Sequence, residues 1–155
     1  MSLNDFITPY QQVTVADKVL KEIFLIAKCI GLKAFLVYGT CLGFVRDKGY
    51  IEGDHDLDIG VICDWREKDV LKNALKMNDF ILVRSKPRSG HIIYGKKKVM
   101  IDLWFRTGSE KFYSKFDYVM YKRKRYSVPH PVEEYLSTCY SNWKVKENQP
   151  TKYRG

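Results

Sequence analysis

Residues 54–61, DHDLDIGV, put Asp54, Asp56 and Asp58 at alternating positions directly before an apolar run. In an extended chain, residues i and i+2 project from the same face, about 6–7 Å apart along the backbone. Asp56 and Asp58 are therefore neighbours on one side of a strand, while Leu57 and Ile59 enter the core on the other. Two carboxylates about 6 Å apart repel by roughly 2–3 kcal/mol at an effective dielectric constant near 20, and Asp54 adds to that. Either a proton or a cation must relieve the repulsion. A hard divalent cation does so best, because it takes carboxylate oxygens and keeps positions open for substrate phosphates.

A later apolar stretch, residues 99–105, supplies another acid. Val99, Ile101, Leu103 and Phe105 alternate there with Met100, Asp102 and Trp104, and Asp102 is the lone charge. A buried carboxylate without a partner is costly, so Asp102 needs company. If the two strands adjoin, Asp56, Asp58 and Asp102 meet, and such a site can hold two ions about 3.5–4 Å apart for in-line displacement at phosphorus. Gly39-Thr40 follows a short apolar strand at residues 34–38. It reads as a turn whose N–H groups and hydroxyl hold phosphate oxygens. Arg46, one or two helical turns further on, can clamp the same phosphates bidentately. Tyr38, His91 and Trp104 are candidates to line the cleft. His55 falls on the opposite strand face, and His130 sits between Pro129 and Pro131 in a turn.

The remaining pattern fills in an α+β chain. Thr14 can cap a helix over residues 15–30 that Gly31 ends, and residues 41–47 read as a short helical segment or loop. Asp64 can cap a second helix over residues 66–77, with Val70, Leu71, Ala74 and Leu75 on its inner face. Residues 80–85 and 90–95 form a hairpin pair, residues 115–129 give one or two lysine- and arginine-rich edge strands, and Pro131 opens a last helix over residues 131–140. The expected product is one domain, residues 1–155, with a mixed, mostly antiparallel sheet and helices packed on it.

Composition limits the setting. No apolar run approaches the roughly 18 residues of a membrane span, and the N-terminus lacks a signal-peptide pattern, so the expected location is cytoplasmic. Cys29, Cys41, Cys63 and Cys139 are scattered, which fits reduced core thiols rather than a disulfide frame or zinc site. The net charge of +9 favours an anionic partner. Much of it lies in Lys96-Lys97-Lys98 and in residues 122–125, which fit a solvated hairpin turn and edge strand equally well.

The segment YGTCLGFVRDKGYIEGDHDLDIGV resembles the LicD/fukutin family, within the nucleotidyltransferase superfamily. That family's motif runs from a glycine-threonine through an arginine to an Asp-rich cluster. The segment VPHPVEEYLSTCYSNWKVKENQP is similar to its C-terminal signature, so the likeness spans residues 35–150. Gly53 and His55 stand where members usually carry a tryptophan and an aspartate, and Ser141 where a late glycine is expected. The resemblance implies a nucleotidyltransferase fold and transfer of a substituted phosphate, dependent on Mg²⁺ or Mn²⁺ with two ions bound alongside substrate. The implied donor is CDP-linked, carrying phosphocholine or a phosphopolyol. The implied acceptor is a sugar hydroxyl, as in cell-surface glycan modification. It also implies Asp56, Asp58 and Asp102 as catalytic metal ligands, and Gly39, Thr40 and Arg46 at the donor phosphates. Asp54, from its place in the acidic run, is expected as an outer-shell helper or a further metal ligand. One other enzyme reading remains, transfer of NMP from an NTP to a small-molecule or sugar hydroxyl, and an inactive relative is a further possibility. A basic nucleic-acid-binding module is the reading from another class, and the three clustered acids argue against it by repelling a polyanion.

Overall fold

The computed structural model describes residues 5–146. Helix α1 (Val13–Cys29) leads into strand β1 (Lys33–Leu36), the short helix α2 (Tyr38–Leu42), a wide helical turn (Gly43–Asp47) and strand β2 (Asp56–Ile62). Helix α3 (Trp65–Met77) precedes β3 (Ile81–Lys86), β4 (His91–Lys96) and β5 (Val99–Arg106). The hairpin β6 (Phe116–Tyr121) and β7 (Lys124–Pro129) and helix α4 (Val132–Cys139) complete the chain. The architecture is α+β.

Five strands form one sheet in the order β1-β2-β5-β4-β3, and β6-β7 form a separate two-stranded ribbon. Only β2 and β5 run parallel, with Asp58 opposite Asp102; the other pairs are antiparallel. One sheet face carries Leu36, Leu57, Ile59, Ile101 and Leu103, each at most 1% exposed, and α1 packs over it with Leu20 and Ile23. The other face carries the acids. Gly60 sits on that face opposite Phe35, and a Cβ there would lie 2.5 Å from the Phe35 ring, so the glycine lets the ring lie flat on β2.

Local sequence explains most element ends. Asp64 caps α3 as expected: its carboxylate accepts from the Arg66 and Glu67 N–H groups at 2.9 and 2.8 Å, and Glu67 returns a bond to the Asp64 N–H. Thr14 does not cap α1. The helix starts two residues earlier, at Val13 behind Gln12, with no side-chain cap. Val70 is 53% exposed, so the inner stripe of α3 is Leu71 and Leu75 with Ala74 beside them. The basic clusters fall in tight hairpin turns. Lys97-Lys98 and Lys122-Arg123 all have positive φ, the type I′ geometry that joins twisted strands. Residues 122–123 are thus a turn rather than edge strand, and β6-β7 pack on β1 instead of extending the sheet. Cys41, Cys63 and Cys139 are buried free thiols and Cys29 is exposed. Among the described residues no helix is long and apolar enough to cross a membrane.

Candidate active site

The acids converge because β2 and β5 lie side by side in register. One carboxylate oxygen from each of Asp54, Asp56 and Asp58 lies within 4.8 Å of the other two. Asp102 joins from β5, sharing a hydrogen bond with the Asp56 side chain. Asp54 thus belongs to the tightest trio, closer in than an outer helper. His55 precedes β2 and is exposed.

The segment after β1 is built to hold Asp58. Residues 38–42 form a helix rather than the expected open turn, and β1 ends at Leu36. The Gly39 N–H donates to Asp58 Oδ2 at 3.2 Å, while the Asp58 N–H donates to Thr40 Oγ1 at 2.8 Å. A Cβ on residue 39 would stand 2.5 Å from Asp54 Oδ2 and 3.2 Å from Asp58 Oδ2, which makes glycine a steric condition of the cluster. Tyr38 takes a left-handed φ of 43° at this junction, its N–H bonded to the Tyr135 hydroxyl at 2.9 Å. Such backbone is costly for a bulky residue and is found where surrounding structure enforces it.

The electrostatics follow from burial. Removal from water, reinforced by the Asp56 charge, pushes the Asp54 carboxyl up to about 7. Burial and the bond to Asp102 raise Asp56 to about 8. Asp58 is raised well above the carboxylate range by burial and then by its three acidic neighbours, against the Trp104 side chain, which favours its charged form. Burial also raises Asp102. His91 is pushed down to about 4 by burial and then by Lys86, so its ring is neutral near pH 7. That ring stacks on Trp104 at 3.8 Å and places Nε2 3.1 Å from Asp102 Oδ1. The two atoms are not aligned for a hydrogen bond, and among the described residues neither has another hydrogen-bond partner. Buried carboxylate oxygens crowded together, one of them unsatisfied, form the hard oxygen set that suits Mg²⁺ or Mn²⁺.

Arg46 is not brought to the acids. Its Nε and Nη2 grip Asp47 at 2.7 and 3.1 Å, and Nη1 donates to the Trp143 and Val145 carbonyls at 3.3 and 3.5 Å. It ties the glycine-threonine and aspartate block to the C-terminal one, where Trp143 is buried and bonded to Ser137. Pro150 of the latter block lies outside the described residues. The cation beside the site is Arg106, which sequence reading missed. Its Nη2 donates to the Tyr38 hydroxyl at 2.8 Å, and its guanidinium lies 5.1 Å from the Trp104 ring. Strand alternation could have found it, since Asp102, Trp104 and Arg106 share one face of β5. Lys86, opposite His91 on β3, adds charge that favours the ionised Asp102. Tyr140 closes the other side and is pushed far up by burial and by Asp58. His130 bonds Asp117 at 2.9 Å, away from the cluster.

A family model described as the LicD/FKTN/FKRP nucleotidyltransferase domain matches residues 31–139. The chain belongs to that family. No curated protein matches it closely. Among solved structures, the lincomycin-bound crystal structure of the lincosamide antibiotic adenylyltransferase LnuA is similar, with a TM-score of 0.60 and 14% identity. The match covers 84% of this chain and 89% of that one. The solution structure of the antibiotic-resistance factor ANT(2'')-Ia aligns with a TM-score of 0.52 and 9% identity, over 90% of this chain and 64% of the other. At these identities the likeness concerns the fold, which is nucleotidyltransferase-like. Membership in the LicD/FKTN/FKRP family makes the chain a nucleotide-dependent transferase.

Proposed function

We propose that this LicD-type domain moves a substituted phosphate, such as phosphocholine or a phosphopolyol, from a CDP-linked donor to a sugar hydroxyl. The observation that carries this reading is the four-carboxylate cluster of Asp54, Asp56, Asp58 and Asp102 on one sheet face. Asp54, Asp56 and Asp58 would hold Mg²⁺ or Mn²⁺, with Asp102 completing the set. The bound cations would neutralise the donor's diphosphate and stabilise charge on the leaving phosphate. Gly39 and Thr40 serve by fixing the Asp58 carboxylate, and Arg106 and Lys86 form a cationic wall for the donor. Tyr38 and Trp104 give that wall its rigid aromatic backing. Asp102 takes the acceptor's proton as the hydroxyl oxygen bonds to phosphorus in line. The phosphorus–oxygen bond to CMP breaks, and CMP leaves with the electron pair. Positioning and fixed charge account for most of the acceleration.

Transfer of NMP from an NTP is the second reading, favoured by the name of the LnuA neighbour, an adenylyltransferase. Incubation with Mg²⁺, CDP-choline, CDP-ribitol or each NTP, together with sugar acceptors, separates the two. Release of CMP from a CDP-linked donor supports the first reading, and pyrophosphate from an NTP the second. Asp56→Asn and Asp58→Asn variants that fold and keep full Mg²⁺-dependent activity would refute both.

A further inference from the structure

A second charged region lies away from the acids, where the last turn of α1, the start of β1 and the start of β7 converge. They enclose a concavity of about 470 Å³ whose cationic lining is Lys28, Lys33, Lys124 and Arg125. No carboxylate lines it. Among the described residues none of these four cations forms an ion pair. Lys33 pairs with Ile62, four residues along β2 from Asp58, so the concavity opens about 13 Å down the sheet from the acids at the usual rise per residue.

Lys28, Lys33 and Arg125 are exposed and Lys124 is half-buried, and two of the four are held by neighbours. Lys33 Nζ donates to the buried Ser127 hydroxyl at 2.6 Å and sits 5.1 Å from the Phe116 ring centroid. The Arg125 guanidinium lies 4.3 Å over the Tyr118 ring. Their mutual repulsion is unrelieved. Burial and then the Arg125 charge hold Lys33 below its ordinary pKa, and burial, Lys21 and Lys28 do the same to Lys124. Folding has gathered like charges around a hollow without supplying the counter-charge, as the acid cluster does with opposite sign.

We propose that this concavity is a binding site for a phosphate-bearing anion with two or more negative charges. An arginine fork, three ammonium groups and a hydroxyl around one hollow supply the donor types that phosphoryl oxygens accept from. The volume falls in the range of small-molecule pockets, about 300–1,000 Å³. Leu25 and Tyr118, 59% and 53% exposed, give the rim an apolar side for the group that bears the phosphate. The phosphate belongs either to a soluble phosphorylated compound or to a lipid headgroup. The inference does not depend on the acids being catalytic.

The test uses the whole chain in EDTA at low salt, with inorganic pyrophosphate by calorimetry and phosphatidylglycerol vesicles by co-sedimentation. Lys33→Gln/Arg125→Gln should weaken binding by at least about tenfold, a loss near 1.4 kcal/mol. Lys72→Gln/Lys76→Gln on α3 removes the same charge elsewhere and should change it less than about twofold. Binding of pyrophosphate that the site variant loses assigns a soluble ligand; binding confined to vesicles and lost in the same way assigns a headgroup. If the first variant melts early, Lys28→Gln/Lys124→Gln replaces it. Absence of binding to either probe, or equal loss in the site and control variants, overturns the proposal.

Discussion

Two groups of buried acid occupy this small protein, and they are treated in opposite ways. Asp17 on α1 accepts from the Tyr50 and Tyr121 hydroxyls at 2.8 and 2.9 Å and pairs with Lys122 at 2.7 Å. Its charge is matched by three donors from two parts of the chain, Tyr50 and the adjacent pair Tyr121-Lys122. Asp54, Asp56, Asp58 and Asp102 are instead buried mainly against one another, with the Gly39 N–H and the Trp104 side chain as the donors that reach Asp58. An acid that serves the fold is satisfied within the fold. An acid cluster left unsatisfied is stable only with protons or with a cation, which is the ground for proposing it as the site of chemistry.

Charge removal should therefore have opposite consequences at the two places. Asp58→Asn should lower transfer by about 10²–10³-fold, the usual scale for losing one preorganised electrostatic group, while leaving the metal-free protein at least as stable. Steady-state rates and thermal melts of the same preparation check both halves. Asp17→Ala should do the reverse. Two buried hydroxyls lose their acceptor, costing about 2–3 kcal/mol, and the melting temperature falls by about 5–10 °C. Activity below the melt should be unchanged; a large activity loss would break the comparison.

The pH dependence sharpens it further. Asp54 and Asp56, raised to about 7 and 8, hold protons in the folded state that the unfolded chain has already released. Stability thus falls as pH rises through these values, by on the order of 1–2 kcal/mol between pH 6.5 and 8. His91, depressed to about 4, acts with the other sign, its contribution being lost as pH falls from 6.5 toward 4. Only the acids act above pH 6.5, so Asp56→Asn should flatten that limb of a metal-free stability profile. Thr40→Val should have the smallest effect. It strips the Asp58 N–H of its acceptor, costing about 1–2 kcal/mol in chemical denaturation while the carboxylates remain in place.

Much of this contrast is legible in the sequence, for a physical reason. The period of two along DHDLDIGV and VMIDLWF sorts acids from apolar residues by face, and burial of Leu57, Ile59, Ile101 and Leu103 then fixes the acid side. The capping box at Asp64 is equally local. The pairing of β2 with β5, assumed from the need of Asp102 for company, is a tertiary fact that no local pattern specifies. The same is true of Arg46, whose fork is taken by its neighbour Asp47 and by carbonyls about a hundred residues away in the chain. Gly39-Thr40 reads as a turn because glycine ordinarily breaks helices. Here it stands in one because a side chain would strike Asp54. Asp17 gave no sequence signal, since its partners, Tyr50 and Tyr121-Lys122, lie in two segments far from it in the chain.

The central claim is that the acid cluster is stabilised by a divalent cation and that Asp17 is not. Thermal melts at pH 8 with and without Mg²⁺, in the presence of CDP, test it most directly. Wild type and Asp17→Ala should both gain stability, about 2.7 kcal/mol at a hundredfold excess over the dissociation constant, and Asp56→Asn/Asp58→Asn should gain none. An equal Mg²⁺-dependent gain in the Asp56→Asn/Asp58→Asn protein would contradict the account.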